Sequence, residues 1–124
     1  MATMAITTAQ VMVDNYTKTR RDLIDETYGI NDTKAIWFSI DQVNNFMASL
    51  TPDISGVRFY LGVYGPDDAR YPNQTTIIAI GTKKDENGKD IDPLFTLGHG
   101  HWGGGDDPSP YNHGALCPPA TSCG

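Results

Sequence analysis

The sequence has little positive charge and no long hydrophobic run. Its nine lysines and arginines are scattered among fifteen acidic residues, which gives a net charge of -6. Phosphate recognition needs clustered basic side chains, so we expect no nucleic-acid partner. The longest mostly apolar stretch, residues 57–64, already contains Arg58 and is far shorter than the roughly 20 residues of a membrane-spanning helix. We therefore expect no membrane span.

Targeting and nucleotide-binding signals are also missing. Residues 1–6 are too short for the apolar core of a signal peptide, and Asp14 interrupts soon afterwards. A cytoplasmic location is therefore the default expectation, with export by a non-classical route left open. No Walker or Rossmann glycine pattern follows a predicted strand. The only cysteines, Cys117 and Cys123, would pair in an oxidising compartment, and the sequence leaves their state open.

The first third of the chain has the pattern of a small α+β fold. A capping box at Thr7–Gln10 and apolar residues at helical spacing predict a helix over residues 8–26, ended by Gly29. Residues 35–40 are β-branched and aromatic, which predicts a strand. Asp41 is then expected to cap a second, shorter helix with one apolar stripe.

The middle third predicts further strands. Residues 57–64 alternate in polarity, residues 75–82 form a third strand, and a tight turn centred on Asn87-Gly88 leads to a short edge strand over 91–97. The first two strands should run parallel through a right-handed crossover. This order predicts an α+β fold in which two helices pack on one face of a three- to four-stranded mixed sheet.

The strand over residues 57–64 has one apolar and one polar side. We expect the apolar side, with Phe59 and Leu61, to face the core, while Arg58 and Tyr60 point the other way. The expected core consists of Trp37, Phe38, Phe46, Met47, Val57, Phe59, Leu61, Ile78 and Ile80.

The C-terminal part of the chain differs from the rest. We divide the sequence into an α+β domain over 1–97 and an irregular Gly/Pro-rich tail over 98–124, which contains all three histidines and both cysteines. Large apolar groups in such a tail need a surface to cover, on the domain itself or on a neighbouring subunit. The expected contact residues of the tail are Trp102, Tyr111 and Leu116. The expected receiving patch on the central strand is Arg58, Tyr60 and Tyr64.

A metal site is the alternative use of the tail. In an extended segment His99 and His101 project to the same side, so both imidazoles could meet one ion together with His113. A fourth ligand would complete a zinc set and make the site structural, whereas an open position with an acid as base would make it hydrolytic. The sequence leaves both open. The candidates for the fourth ligand or base are Asp106, Asp107, Cys117 and Cys123.

No motif for covalent catalysis accompanies these residues. Cys117, His113 and Asp107 have the residue types of a nucleophilic site but lack any flanking motif. The acids cluster in turns, where solvation explains them. The sequence therefore favours a non-enzymatic structural or interaction module that self-associates, with the tail as contact arm. The alternative is a metal-binding protein or metal-dependent hydrolase.

Four stretches carry a resemblance, namely DTKAIWFSIDQVNNFM, GVRFYLGVY, YPNQTT and NHGALCPP. Together they resemble a group of small uncharacterised bacterial proteins in which a Trp-Phe strand leads into a helix and the chain ends in a Cys-Pro-Pro-x-Cys-type tail. Here the tail departs from that pattern, because five residues separate Cys117 from Cys123. The resemblance implies a bacterial origin and a single domain, and it carries no activity over to this chain.

Overall fold

The computed structural model describes residues 2–94, 110–112 and 114–120. The chain divides into two compact units: unit 1 comprises residues 1–37, 63–76 and 115–124, and unit 2 comprises residues 38–62 and 77–114. The expected α+β class is confirmed. The elements are α1 (Ile6–Tyr16), a π-helical segment (Thr17–Arg21), α2 (Asp22–Tyr28), β1 (Ala35–Trp37), α3 (Ile40–Ala48), β2 (Gly56–Val63), β3 (Thr75–Lys84), β4 (Asp90–Ile91) and β5 (Ala115–Cys117).

The first helical stretch starts earlier than expected and contains a π-helical segment. Ala5 stands before its first residue and provides no side-chain cap, so the Thr7–Gln10 capping box does not form. Within the stretch the Thr19 hydroxyl donates to the Asn15 carbonyl at 2.6 Å. Such bonds compete with the backbone ladder and accompany local widening of a helix. Gly29 ends α2 at a φ of 65°, in the predicted C-cap role.

Helix α3 begins at a capping box formed by Ser39 and Gln42. The Ser39 hydroxyl accepts from the Gln42 N–H at 3.1 Å, and the Ser39 N–H donates to the Gln42 side chain at 2.9 Å. Ser39 is thus the N-cap, and the expectation that Asp41 caps this helix is wrong. Asp41 instead lies in the first turn, where its charge favours the helix dipole.

Two antiparallel sheets replace the expected single mixed sheet. β1 pairs with β5, with Ile36 opposite Leu116, while β2, β3 and β4 form the other sheet in that order. The expectation that β1 lies parallel to β2 is therefore wrong. Ala115–Cys117 lies in the part of the chain expected to be irregular, but it forms the short strand β5. The strand ends where Pro118 lacks the backbone N–H that a further hydrogen bond would need.

The β3–β4 connection is the predicted tight turn. Lys83 pairs with Ile91 and Lys84 with Asp90. The Asp85 carboxylate accepts from two backbone N–H groups of the turn, and Gly88 has a φ of 78° that suits glycine. β4 ends at Ile91, so residues 92–94 do not continue the strand expected over 91–97. The last part of that prediction, residues 95–97, lies outside the described residues.

The buried apolar residues are fewer than the sequence predicts. Ile80 is fully buried as expected, whereas Trp37, Met47, Phe59 and Leu61 are exposed. These four core expectations are wrong. No residue of the described helices is buried. The remaining buried residues include several polar side chains: Asp32, Thr33, Gln74, Thr76, Thr82 and Asp92.

Candidate functional site

A buried carboxylate organises one side of unit 2. Asp92 is fully buried directly after β4, and one of its oxygens accepts from the Arg58 guanidinium at 2.6 Å and from the Tyr60 hydroxyl at 2.8 Å. Its other oxygen accepts from the Leu94 N–H at 2.8 Å. Arg58 also donates to the Asp90 carbonyl at 3.0 Å. The two β2 residues and the segment after β4 are thereby tied together.

The electrostatics of this cluster keep Tyr60 protonated. Burial is the largest cause that raises the pKa of Tyr60 above its ordinary value. The neighbouring Arg58 opposes this shift, and the bond to Asp92 adds to it. The pKa of Arg58 is also raised, first by its hydrogen bond with Tyr60 and then by Asp92. Tyr60 is consequently a donor to a carboxylate, which suits a structural tie and not a catalytic base.

The Asp92 cluster explains why β2 faces the opposite way from the sequence-based prediction. Arg58 and Tyr60 turn inward to reach the buried carboxylate, so the alternating Phe59 and Leu61 turn outward. Burying a carboxylate without hydrogen-bond donors costs free energy, so the polar side of β2 faces Asp92. The one sequence signal is the Arg-x-Tyr alternation on β2 together with an acid just after the β4 strand.

A second buried carboxylate organises unit 1. Asp32 is fully buried, and its two oxygens accept from the Thr75 N–H at 2.7 Å and from the Thr75 hydroxyl at 2.6 Å. Its backbone N–H donates to Asp25 at 2.5 Å, and its carbonyl accepts from Arg21 at 3.0 Å. Burial, followed by the charge of Asp32, raises the pKa of Tyr16. Arg21 and Asp25, on the helical stretch, therefore bind residues 31 and 32.

The end of β5 is held by a third polar contact in unit 1. The Gln74 amide donates to the Pro118 carbonyl at 2.8 Å, and the Lys34 N–H donates to the Cys117 carbonyl at 2.8 Å. Leu116 is fully buried and Cys117 is disulfide-bonded. An open groove lies beside this contact, and it is lined by Ile30, Asn31, Pro72, Gln74, Pro118 and Pro119.

The expected contact residues are dispersed. Leu116 lies in the core of unit 1, while Tyr111 exchanges two 2.8 Å backbone hydrogen bonds with Ala79 and stacks near Phe38 and Phe46 in unit 2. In the expected receiving patch Arg58 and Tyr60 bind Asp92 as described. Tyr64 stacks on Tyr71 within unit 1, with ring centroids 5.6 Å apart.

The expected metal ligands cannot be placed. His99, His101, His113 and Trp102 lie outside the described residues, as do Asp106, Asp107 and Cys123. Among residues 2–94, 110–112 and 114–120, no group of three His, Cys, Asp or Glu side chains could hold a metal ion. In the same ranges no helix is long and apolar enough to cross a bilayer.

Comparison of the chain with protein-family models, with curated proteins and with solved structures found no match.

Proposed function

We propose that this chain is a non-enzymatic module that self-associates, with part of its C-terminal tail as contact arm. The observation that supports this most directly is the amount of apolar surface left in solvent on both units. Ile6 on α1, Tyr28 on α2, Ile40 on α3 and Leu61 on β2 are all more than two thirds exposed. Scattered apolar side chains are ordinary on a protein surface. Here they accompany helices that bury none of their own residues.

Helices of this length depend on packing for their stability. Short helices are marginal in water, and most of their stability in proteins comes from burying an apolar face. α1 has Val11, Met12 and Val13 exposed, and α3 has Val43 and Met47 exposed. Association with another copy would supply the missing burial at about 25 cal/mol per Å² of apolar surface.

The non-enzymatic part of the proposal rests on how the buried acids are used. Asp32 and Asp92 each accept several hydrogen bonds that join segments far apart in sequence. A general base needs an oxygen within reach of a substrate proton, whereas these two carboxylates are fully buried. Their geometry supports a structural role.

The contact arm in this proposal is the segment 95–109, and the described residues on either side of it are held in unit 2. The Leu94 N–H bonds to Asp92 before this segment, and Tyr111 pairs with Ala79 after it. The intervening residues 95–109 include Trp102, the largest apolar side chain of the tail. Truncation at residue 98 would also remove β5, so it is a poor test of the arm.

Replacement of the arm tests this proposal without removing β5. The wild-type chain should show an oligomeric mass by light scattering, and a variant with residues 97–108 exchanged for a Gly/Ser linker of equal length should be folded with a lower mass. The matched control is the same exchange with Trp102 retained, which should recover part of the association. A monomeric wild type would refute self-association, and an unchanged mass in the linker variant would refute the arm.

The disulfide at Cys117 supports an oxidising environment for this module. Disulfides persist in secreted and other oxidising compartments and are rare in the cytosol. We therefore propose that this module is exported to an oxidising compartment, in place of the cytoplasmic location expected by default.

A further inference from the structure

β2 presents an apolar side to solvent. Phe59 is 58% exposed and Leu61 is 82% exposed, and we name these two residues the β2 stripe. They alternate with Arg58 and Tyr60, which point inward to Asp92. Burial of a Phe or Leu side chain is favourable because it removes apolar surface from water, so covering the stripe would stabilise a complex.

β2 and β3 carry no acidic side chain. Their ionisable side chains other than tyrosine are Arg58, Lys83 and Lys84, which form ion pairs with Asp92, Asp53 and Asp90 respectively. The whole chain has a net charge of -6, so two copies repel each other. This repulsion is weakest where no acid lies at the contact. A basic partner protein, in contrast, would need carboxylates to bind, and these two strands carry none.

The stripe is also self-complementary. A two-fold contact brings the same patch of both subunits together, so the patch must match itself. Apolar side chains of similar size satisfy this condition, and cross-strand or cross-sheet pairs of aromatic and aliphatic groups are favourable. Resting on the self-association proposed above, we infer that a second copy of this chain packs its own β2 stripe against this one.

The size of the stripe sets the strength of the contact. A stable interface buries roughly 800 Å² per partner, and a large aromatic side chain contributes about 150–250 Å² of it. Phe59 and Leu61 therefore form the centre of the contact and flanking residues its rim. An interface with so small an apolar centre should dissociate on dilution.

A charge placed in the stripe tests this contact. Leu61→Asp would place one carboxylate from each subunit at the apolar centre of the contact, which is costly. Analytical ultracentrifugation through the micromolar range should show oligomers for the wild type and at least a tenfold weaker association for Leu61→Asp. The matched control is Asn44→Asp, which adds the same charge at an exposed polar position of α3 in the same unit.

A second variant excludes loss of folding as the cause. Phe59→Thr/Leu61→Thr removes apolar area and places β-branched threonines, which favour strands, at both positions. It should weaken association with an unchanged circular dichroism spectrum. Oligomers of unchanged strength in both stripe variants would overturn the β2 contact while leaving self-association intact. A wild type that is monomeric at every concentration would overturn both, and would point to residues 95–109 or to a foreign protein as the occupant of the stripe.

Discussion

Asp32 and Asp92 each join parts of the chain that are far apart in sequence. Asp32 bonds to Thr75, 43 positions away, and Asp92 bonds to Arg58, 34 positions away. Removing one partner of a buried charged contact leaves the other unsatisfied, which costs more than the contact itself contributes. Substitution of either side chain should therefore destabilise the fold.

Asp92→Asn should lower the free energy of unfolding by about 2–3 kcal/mol, because Arg58 and Tyr60 lose an ionised acceptor. The figure is kept modest because the Arg58 side chain is 33% exposed and partly screened by water. Urea denaturation measures the loss. Asp67→Asn, at an exposed loop position, is the control and should change stability by less than about 0.5 kcal/mol. Equal losses in both variants would contradict the structural role of Asp92.

Alkaline pH should destabilise the fold through Tyr60. Because the pKa of Tyr60 is raised in the folded chain, the unfolded chain loses this proton first, near its ordinary value of 10.0. The stabilisation is complete below that pH and is lost as pH rises through the folded value. Tyr60→Phe should show a smaller alkaline loss than the wild type in urea denaturation, whereas the exposed Tyr28→Phe should not differ from it. An identical loss in all three would contradict this assignment.

At the scale of elements, caps and strand faces decide stability. α3 has a complete capping box, whereas α1 begins without a side-chain cap. β3 carries the buried Ile80, and β2 carries the exposed stripe. The consequences of substitution should therefore differ sharply between neighbouring elements.

Ser39→Ala should cost about 1 kcal/mol of stability, because it removes the acceptor for the Gln42 N–H. Asp41→Ala should lower stability by only a few tenths of a kcal/mol, since Asp41 acts through the helix dipole alone. Thermal denaturation of the two variants distinguishes the caps. A larger loss of stability for Asp41→Ala than for Ser39→Ala would indicate that Asp41 is the N-cap, as the sequence predicts.

Ile80→Ala should cost about 2–5 kcal/mol, because a fully buried side chain leaves a cavity. Phe59→Ala should cost under about 1 kcal/mol when measured at a concentration where the chain is monomeric, since the ring is exposed there. Parallel denaturation of both variants tests the orientation of β2. A loss at Phe59 as large as that at Ile80 would place the stripe in the core.

The sequence predicted where several helices and strands lie, but it did not predict which strands pair with each other. Local signals placed α3, β2, β3 and the Asn87-Gly88 turn, because periodicity and turn chemistry act over a few residues. The pairing of β1 with β5 depends on residues nearly eighty positions apart, and a three-residue strand carries too little pattern to reveal it. The orientation of β2 depended on one buried acid, Asp92, outside the strand itself.

At the scale of the whole molecule, the segment 95–109 contains two of the three candidate metal ligands, His99 and His101. The metal site remains a prediction. Protein purified without a histidine tag should contain stoichiometric zinc if these residues and His113 bind it, and a His99→Ala/His101→Ala variant should lose that zinc. Background metal content, together with unchanged stability in chelator, would leave the histidines as ordinary polar residues.

The pairing of β1 with β5 has a consequence for biosynthesis. Residues 35–37 leave the ribosome about eighty residues ahead of their partners at 115–117. The two-stranded sheet, and the burial of Leu116 that accompanies it, can form only after residues 115–117 have been translated. A message cut short before codon 115 would therefore yield a polypeptide with β1 unpaired, which proteases and chaperones would recognise as incomplete.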